Sequence, residues 1–186
     1  MKMIKKNWFL IALLACVMIF AACGAPAEDT NAPADTSEPA VLTGAFSEND
    51  LGIAVQGKIH YLREDSAEVL AALGDEYEYS EMVSCVYDGK DKTYAYAGIT
   101  VNTVPVDGKD IIEMFTITDT SYTTLRGITV GATRDEIIAA YGEEYFDDGW
   151  INYTMTNDQA DVQAERIQFE MNGDTVSAIY IYSPSY

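Results

Sequence analysis

The side chains that could do acid–base or nucleophilic chemistry are sparse in this 186-residue chain. Its one histidine, His60, lies in a strand-like run, and neither a base nor a metal ligand stands at a useful spacing from it. We therefore expect a structural or surface role for His60. Cys85 has no second histidine with which to form a dyad, so it is expected to be a small, buried hydrophobic residue.

Carboxylates are the second group with chemical potential. Asp88, Asp91 and the pair Asp147 and Asp148 could offer oxygen ligands to calcium, but their spacing matches no calcium-binding loop. The acidic run at residues 143–148 is more typical of a solvated loop than of a catalytic carboxylate pair. The sequence thus predicts no enzyme, no cofactor and no metal site. The alternative is an envelope enzyme, or an inhibitor of one, that uses the 143–148 loop or Cys85.

Cys23 is the residue for which the sequence predicts a covalent modification. Three lysines precede an uncharged run from Trp8 to Ala22, which is the basic and then apolar pattern of an export signal. The run is short for a membrane span and ends at Cys23. The small residues before that cysteine resemble the lipobox of bacterial lipoproteins, with Cys16 as the rival site. We predict a signal peptide over residues 1–22 and a lipid on Cys23 that anchors the exported chain to the outer face of the cell membrane.

The segment after Cys23 and the overall charge restrict the class of partner. Residues 23–45 are rich in Ala, Pro, Asp, Glu, Thr and Ser, which predicts a disordered tether. The formal net charge is −19, and it becomes −22 without the three lysines of the signal. Such an acidic chain lacks the basic footprint that nucleic acid requires, and it is unsuited to anionic lipid headgroups. Cys85 would be the only cysteine left for pairing, so no internal disulfide is expected.

Two segments of the chain match each other without a gap, and both predict a helix. Residues 65–77 read DSAEVLAALGDEY, and residues 133–145 read TRDEIIAAYGEEY. In each, an N-cap candidate is followed three residues later by a glutamate, which is the spacing of a capping box. A glycine then stands where a left-handed residue ends a helix. These positions are Asp65, Glu68 and Gly74 in the first segment, and Thr133, Glu136 and Gly142 in the second.

Strand-like runs around the two helices predict antiparallel pairing. Gln56-Gly57, Asp88-Gly89, Asp107-Gly108 and Asn172-Gly173 stand between such runs, as hairpin turns do. With the duplicated helix, this pattern predicts an α+β fold of two tandem repeats, each a short helix packed on an antiparallel sheet. The first repeat is placed at residues 46–124 and the second at residues 125–186.

Two motifs resemble known groups of proteins. ITVGATRDEIIAAYG, from Ile128, is similar to the opening of BLIP-like repeats, which occur in beta-lactamase inhibitory proteins and, in single copy, in SmpA/OmlA outer-membrane lipoproteins. SCVYDGKDKTYAYAG, from Ser84, resembles an uncharacterised lipoprotein group of Gram-positive bacteria. The resemblance covers most of residues 58–183. It implies helices on one face of a curved antiparallel sheet, with the other face open for a protein partner; no inhibitory loop can be matched.

Tyrosines are the candidates for that binding face. In a strand, residues two apart share a side, so Tyr94 and Tyr96 lie together, as do Tyr180 and Tyr182. We expect Tyr94 and Tyr96 to point away from the helices, partly exposed, with Tyr87 beside them. The alternative is that both face the core. The predicted function is a lipid-anchored envelope module that binds a protein partner through an open, tyrosine-bearing sheet face.

Overall fold

The computed structural model describes residues 42–184, which form ten strands, two helices and one turn of 3-10 helix. The predicted signal peptide, Cys16, Cys23 and most of the predicted tether lie outside the described residues. None of the helices in the described part is long and apolar enough to cross a membrane. The elements are β1 (Gly52–Val55), β2 (Lys58–Tyr61), α1 (Ala67–Leu73), β3 (Glu78–Val83), β4 (Lys90–Tyr96), β5 (Ile99–Val106), β6 (Lys109–Ile117), α2 (Arg134–Tyr141), β7 (Phe146–Asp147), β8 (Trp150–Thr154), β9 (Arg166–Asn172) and β10 (Thr175–Tyr182).

Strands β3 to β10 form one antiparallel sheet. Its spatial order is β3-β4-β5-β6-β10-β9-β8-β7, so neighbours are joined along the chain except at the central pair. There β6 and β10 pair directly, with Ile117 opposite Ile179 and Phe115 opposite Ile181. The remaining two strands, β1 and β2, form a separate hairpin around Gln56-Gly57.

The predicted fold class, two repeats that each pack a helix on a sheet, is wrong. Within residues 42–184 the chain is mostly antiparallel strand, and eight strands join in one sheet with only two helices. The physical reason lies where β6 meets β10, because the paired residues Phe115, Ile117, Ile179 and Ile181 are apolar and fully buried. Two separate sheets would leave the backbone edges of these strands unpaired, whereas their pairing satisfies both edges and makes the hydrophobic core continuous.

One face of the sheet carries this core. Val101, Phe115, Ile167 and Tyr153 project from it and are all fully buried. Both described helices and the β1–β2 hairpin contribute to the same cluster, which includes apolar residues of each: Ile53, Val69, Leu70, Leu73, Ile137 and Tyr141. Helices this short are marginal on their own and are stabilised by this packing.

The helix boundaries confirm the local prediction at α2 and correct it at α1. Thr133 caps α2 and exchanges hydrogen bonds with Glu136, as the capping box predicts. At α1 the N-cap is Ser66, and Glu68 instead forms an ion pair with Lys58 on β2. Both helices end as predicted, at Gly74 and Gly142, whose φ values of 89° and 91° favour glycine.

Candidate functional site

The strand register assigns each side chain to one of the two faces of the sheet. Directly paired residues project to the same side, and successive residues alternate. Tyr153, Ile167, Ile181 and Phe115 thus form a row on the core face. The adjacent row points the other way: it consists of Asn152, Gln168, Tyr180 and Thr116. Because the two described helices pack on the core face, we call this second side the open face.

An aromatic stack lies on the open face. The rings of Trp150 and Tyr180 are 5.1 Å apart between centroids and inclined by only 16°. Trp150 is 36% exposed and lies at the start of β8, where it pairs with Glu170 of β9. The hydroxyl of Tyr180 donates a hydrogen bond of 2.9 Å to Oε2 of Glu170. Burial, and then this hydrogen bond, raise the pKa of Tyr180, so the phenol remains protonated at neutral pH.

A polar network fixes the strand that carries Trp150. The side-chain amide of Asn152 donates to Oδ1 of Asp148 at 2.9 Å and to the carbonyl of Trp150 at 2.8 Å. Gln168 in turn donates to Oδ1 of Asn152. Asn152 is fully buried although it lies on the open face, so its hydrogen bonds stabilise the turn before β8. The indole is therefore held by an ordered strand rather than by a free loop.

A third aromatic residue of the open face, Tyr182, contacts a guanidinium. The Cζ atom of Arg166 is 5.5 Å from the centroid of the Tyr182 ring, within the range of a cation–π interaction. Arg166 also donates to the carbonyls of Ala164 and Asp161 at 3.0 and 2.8 Å. Beside Tyr182 is a cavity of about 290 Å³, whose lining includes Cys85, Asp91, Val104, Glu113 and Met114.

The predicted orientation of Tyr94 and Tyr96 is wrong. Tyr94 is only 9% exposed and belongs to the core. The hydroxyl of Tyr96 donates to the carbonyl of Gly74, at the end of α1, over 3.3 Å. Burial raises the pKa of Tyr94, and it raises that of Tyr96 to about 12. Their strand therefore turns its large rings toward the helix side, and Thr93 and Ala95 occupy the open face.

Tyr87 and Cys85 lie in the connection between β3 and β4. β3 ends at Val83, so residues 84–89 form a loop rather than a two-residue hairpin turn. Tyr87 is half-buried there, outside the strand that carries Tyr94 and Tyr96. The prediction that Cys85 is buried is wrong: the thiol is free and the residue is exposed, because a loop position offers it no core.

The acidic run at residues 143–148 includes a hydrogen-bonded turn. Asp147 pairs with Arg134 at 3.1 Å and accepts a hydrogen bond from the amide of Gly149. Asp148 accepts from the amides of Trp150 and Asn152. Among residues 42–184, no cluster of three or more His, Cys, Asp and Glu side chains is placed to hold a metal ion. These two aspartates therefore act in the turn that presents Trp150.

His60 lies in the interior. It is 2% exposed, and burial lowers its pKa. The nearby Glu68 opposes this lowering of the pKa, and Lys58 adds to it. Its Nε2 atom has no hydrogen-bond partner within the described part of the chain. A neutral, buried imidazole in the β1–β2 hairpin agrees with the structural role predicted for it.

The basic side chains of the described residues are all engaged. Seven of them form ion pairs with carboxylates. The eighth, Arg166, is held by two carbonyls and the Tyr182 ring. Because the chain contains 30 acidic residues, most carboxylates have no basic neighbour. The chain therefore has a large net negative charge, which attracts cationic partners and repels anionic ones.

Comparison of the chain with known protein families, with characterised proteins and with solved structures finds no match. The resemblance to BLIP-like repeats therefore stays a prediction. Sequence reasoning placed Tyr180 and Tyr182 on a common face but missed the stacking of Trp150 on Tyr180. The missed indication was the alternation in β8, where Ile151 and Tyr153 are apolar core positions and Trp150 necessarily points the other way.

Proposed function

We propose that this protein is a lipid-anchored module of the cell envelope that binds a protein partner on the open face of its sheet. The observation that carries the proposal is the exposed stack of Trp150 on Tyr180. Tryptophan and tyrosine are enriched among residues that dominate binding energy, since they bury a large area and lose little side-chain entropy. A large indole that remains 36% exposed on an ordered strand is suited to this role.

The other candidate sites of the described residues support recognition rather than catalysis. Asp147 and Asp148 accept hydrogen bonds from the backbone of their own turn. A shallow cleft of about 650 Å³ beside α2 is lined largely by residues 127–132, and its two charged residues, Arg126 and Glu136, are engaged in an ion pair and a helix cap. Cys85 is exposed in a loop, whereas His60 is buried and its Nε2 atom has no hydrogen-bond partner among the described residues, so we favour binding over thiol chemistry.

Photocrosslinking in intact cells tests this proposal. Trp150 is replaced in the full-length chain by a photoreactive phenylalanine analogue, which keeps a large aromatic side chain at this position, and crosslinked proteins are identified by mass spectrometry. Val162, which is 62% exposed in the β8–β9 connection, provides the matched control position. We expect a specific adduct from position 150 that is lost when Tyr180→Ala removes the stack. No adduct, or the same adduct from position 162, would contradict binding at the open face.

A further inference from the structure

The exposed apolar side chains are concentrated at one margin of the sheet. Of the eight large hydrophobic residues that are exposed in the described part of the chain, five lie between positions 77 and 86. Met82 and Val83 are 66% and 74% exposed, and Tyr79 is 48% exposed. All six residues of β3 are exposed, which is unusual for a strand of a large sheet. Within the described residues, this margin therefore exposes a cluster of apolar side chains.

The backbone of β3 is as open as its side chains. In the described structure β3 is a terminal strand of the sheet and pairs with β4 alone, whereas the other terminal strand, β7, has only two residues. The amide of Ser84 donates a hydrogen bond to the carbonyl of Gly89. In an antiparallel ladder, residues that bond to the neighbouring strand alternate with residues that do not, so every second residue of β3 before Ser84 also bonds to β4. The backbone groups of Tyr79, Glu81 and Val83 consequently point outward, over an edge about 20 Å long.

We propose that β3 binds an extended segment of a partner protein, which adds to the sheet as a ninth strand. Outward amides and carbonyls would supply the hydrogen bonds, and the exposed side chains would supply apolar contacts on both sides. This surface goes beyond the function proposed above, because β3 and Trp150 lie toward opposite ends of the eight-stranded sheet. Binding at the β3 edge therefore does not require binding at the Trp150–Tyr180 stack, and the reverse also holds.

The charge of the chain defines the chemistry of that segment. Asp75, Glu76 and Glu78 are exposed directly before and within β3, and the basic side chains on the neighbouring strand already have carboxylate partners. A segment that alternates basic and apolar residues would meet carboxylates and the apolar patch together. The occupant we infer is therefore a cationic, β-forming stretch of another protein.

Two other occupants are disfavoured by the same charges. Residues 24–41 of this chain have four acidic residues, three prolines and no basic residue, so they would be repelled and would donate too few hydrogen bonds. A second copy of the chain would bring the same exposed acidic residues, Asp75, Glu76 and Glu78, and the same net negative charge. Like charges that face each other across strands are destabilising.

A synthetic peptide tests strand addition on the full-length, lipid-bearing protein in detergent. The probe is Lys-Val-Thr-Val-Lys-Val-Thr-Lys with blocked termini and a fluorescent label, and binding is followed by anisotropy. The first control is the same peptide N-methylated at alternate residues, which keeps every side chain but removes the hydrogen bonds of one edge. The second control replaces each lysine by glutamate. We expect the N-methylated peptide to bind at least about tenfold more weakly and the acidic peptide not to bind.

A pair of substitutions in β3 tests the same contact from the protein side. Glu81→Pro removes an outward amide that the β3–β4 ladder does not use, while Glu81→Gln keeps that amide. Both changes lose the ion pair of Glu81 with Lys90, so the difference between them reports the amide. We expect Glu81→Pro to weaken peptide binding by about tenfold or more and Glu81→Gln by less than about threefold. Amide exchange at Tyr79, Glu81 and Val83 should slow when the unmodified peptide binds.

Three outcomes would overturn strand addition. If the N-methylated peptide bound as tightly as the unmodified one, charge attraction alone would explain binding, without hydrogen bonds to β3. If the basic peptide did not bind at all, a cationic, β-forming segment would be excluded as the partner. Self-association through β3, detected by sedimentation and abolished by Glu81→Pro, would assign the edge to a second copy. Should Glu81→Pro fail to fold, the comparison of the two peptides on the unaltered chain still decides. Crosslinking at Trp150 is unaffected by any of these results.

Discussion

Arg126 and Asp50 form a doubly hydrogen-bonded ion pair in the interior, although 76 residues separate them in sequence. Nε donates to Oδ1 at 2.5 Å and Nη2 to Oδ2 at 2.8 Å, and the two residues are 5% and 0% exposed. The guanidinium also donates to the carbonyls of Gly44, Ala45 and Ala140. Through this one side chain, the segment before β1 is joined to the end of α2.

We predict that Arg126→Met destabilises the protein by about 3–5 kcal/mol, because it leaves the Asp50 carboxylate buried without its partner. Adding Asp50→Leu should recover part of the loss, since the second substitution removes the stranded charge. Urea unfolding of the single and double variants measures both effects. Arg134→Met, which removes the exposed pair with Asp147, is the control and should cost less than about 1 kcal/mol. Equal losses at the two arginines would contradict the buried pair.

The position of Tyr94 predicts a loss of stability rather than of binding. Its ring lies in the core and contacts Tyr77 and Tyr79, with centroids 5.2 and 5.4 Å away. Tyr94→Ala should cost about 3–5 kcal/mol, as for other large-to-small substitutions of buried aromatic residues. Thr93→Ala, on the opposite face of the same strand, should cost far less. Thermal unfolding of both variants checks the assignment of faces, which is refuted if their order is reversed.

Local patterns in the sequence predicted local structure well, and non-local structure was the part that failed. Gly74 and Gly142 mark the ends of both helices because termination depends on a few neighbouring residues. The pairing of Ile117 with Ile179 depends on two edges meeting in space, which no short window of sequence contains. Alternation likewise showed that Tyr94 and Tyr96 share a side but gave no indication of which side faces the core.

Protonation of His60 should make the protein less stable in mild acid. Burial lowers the folded-state pKa below the ordinary value of 6.5, so the unfolded chain binds the proton more readily. The contribution of neutral His60 is complete above pH 6.5 and is lost as the pH falls from there toward the folded-state pKa. Glu64 and Glu68, which favour the charged ring, and Lys58, which opposes it, set the size of the effect.

Unfolding free energies measured between about pH 5.5 and 7.5 test this dependence. The unaltered chain should lose stability toward the acid end, and His60→Leu should show a flatter profile over the same range. Glu48→Gln, an exposed change in the preceding turn, serves as the control and should keep the slope of the unaltered protein. A slope that is the same with and without His60 would contradict the prediction.

Cys23→Ser should release or mislocalise the protein. The expectation rests on the small residues before Cys23 and the polar segment after it, since acylation at this cysteine would provide the only predicted anchor of the mature chain. Fractionation of cells and mass spectrometry of the mature amino terminus measure the outcome. Cys16→Ser is the matched control and should leave the protein on the membrane; a lipid found on Cys16 would contradict the assignment.

The Trp150–Tyr180 stack should matter more for binding than for folding. Trp150 is 36% exposed, so Trp150→Ala removes a ring that is partly covered in the folded chain and should cost about 1–2 kcal/mol of stability, less than the loss of a fully buried aromatic side chain. If the ring is an anchor, the same change should weaken capture of the crosslinked partner by about 2 kcal/mol or more, which is roughly thirtyfold.

Tyr180→Phe separates stacking from hydrogen bonding: it keeps the ring beneath the indole but removes the donor to Glu170. Its binding should therefore lie closer to that of the unaltered chain than to that of Tyr180→Ala. Met155→Ala, at a side chain that is 44% exposed just after β8, should leave binding unchanged, and an equal loss there would show that the stack has no special part in recognition.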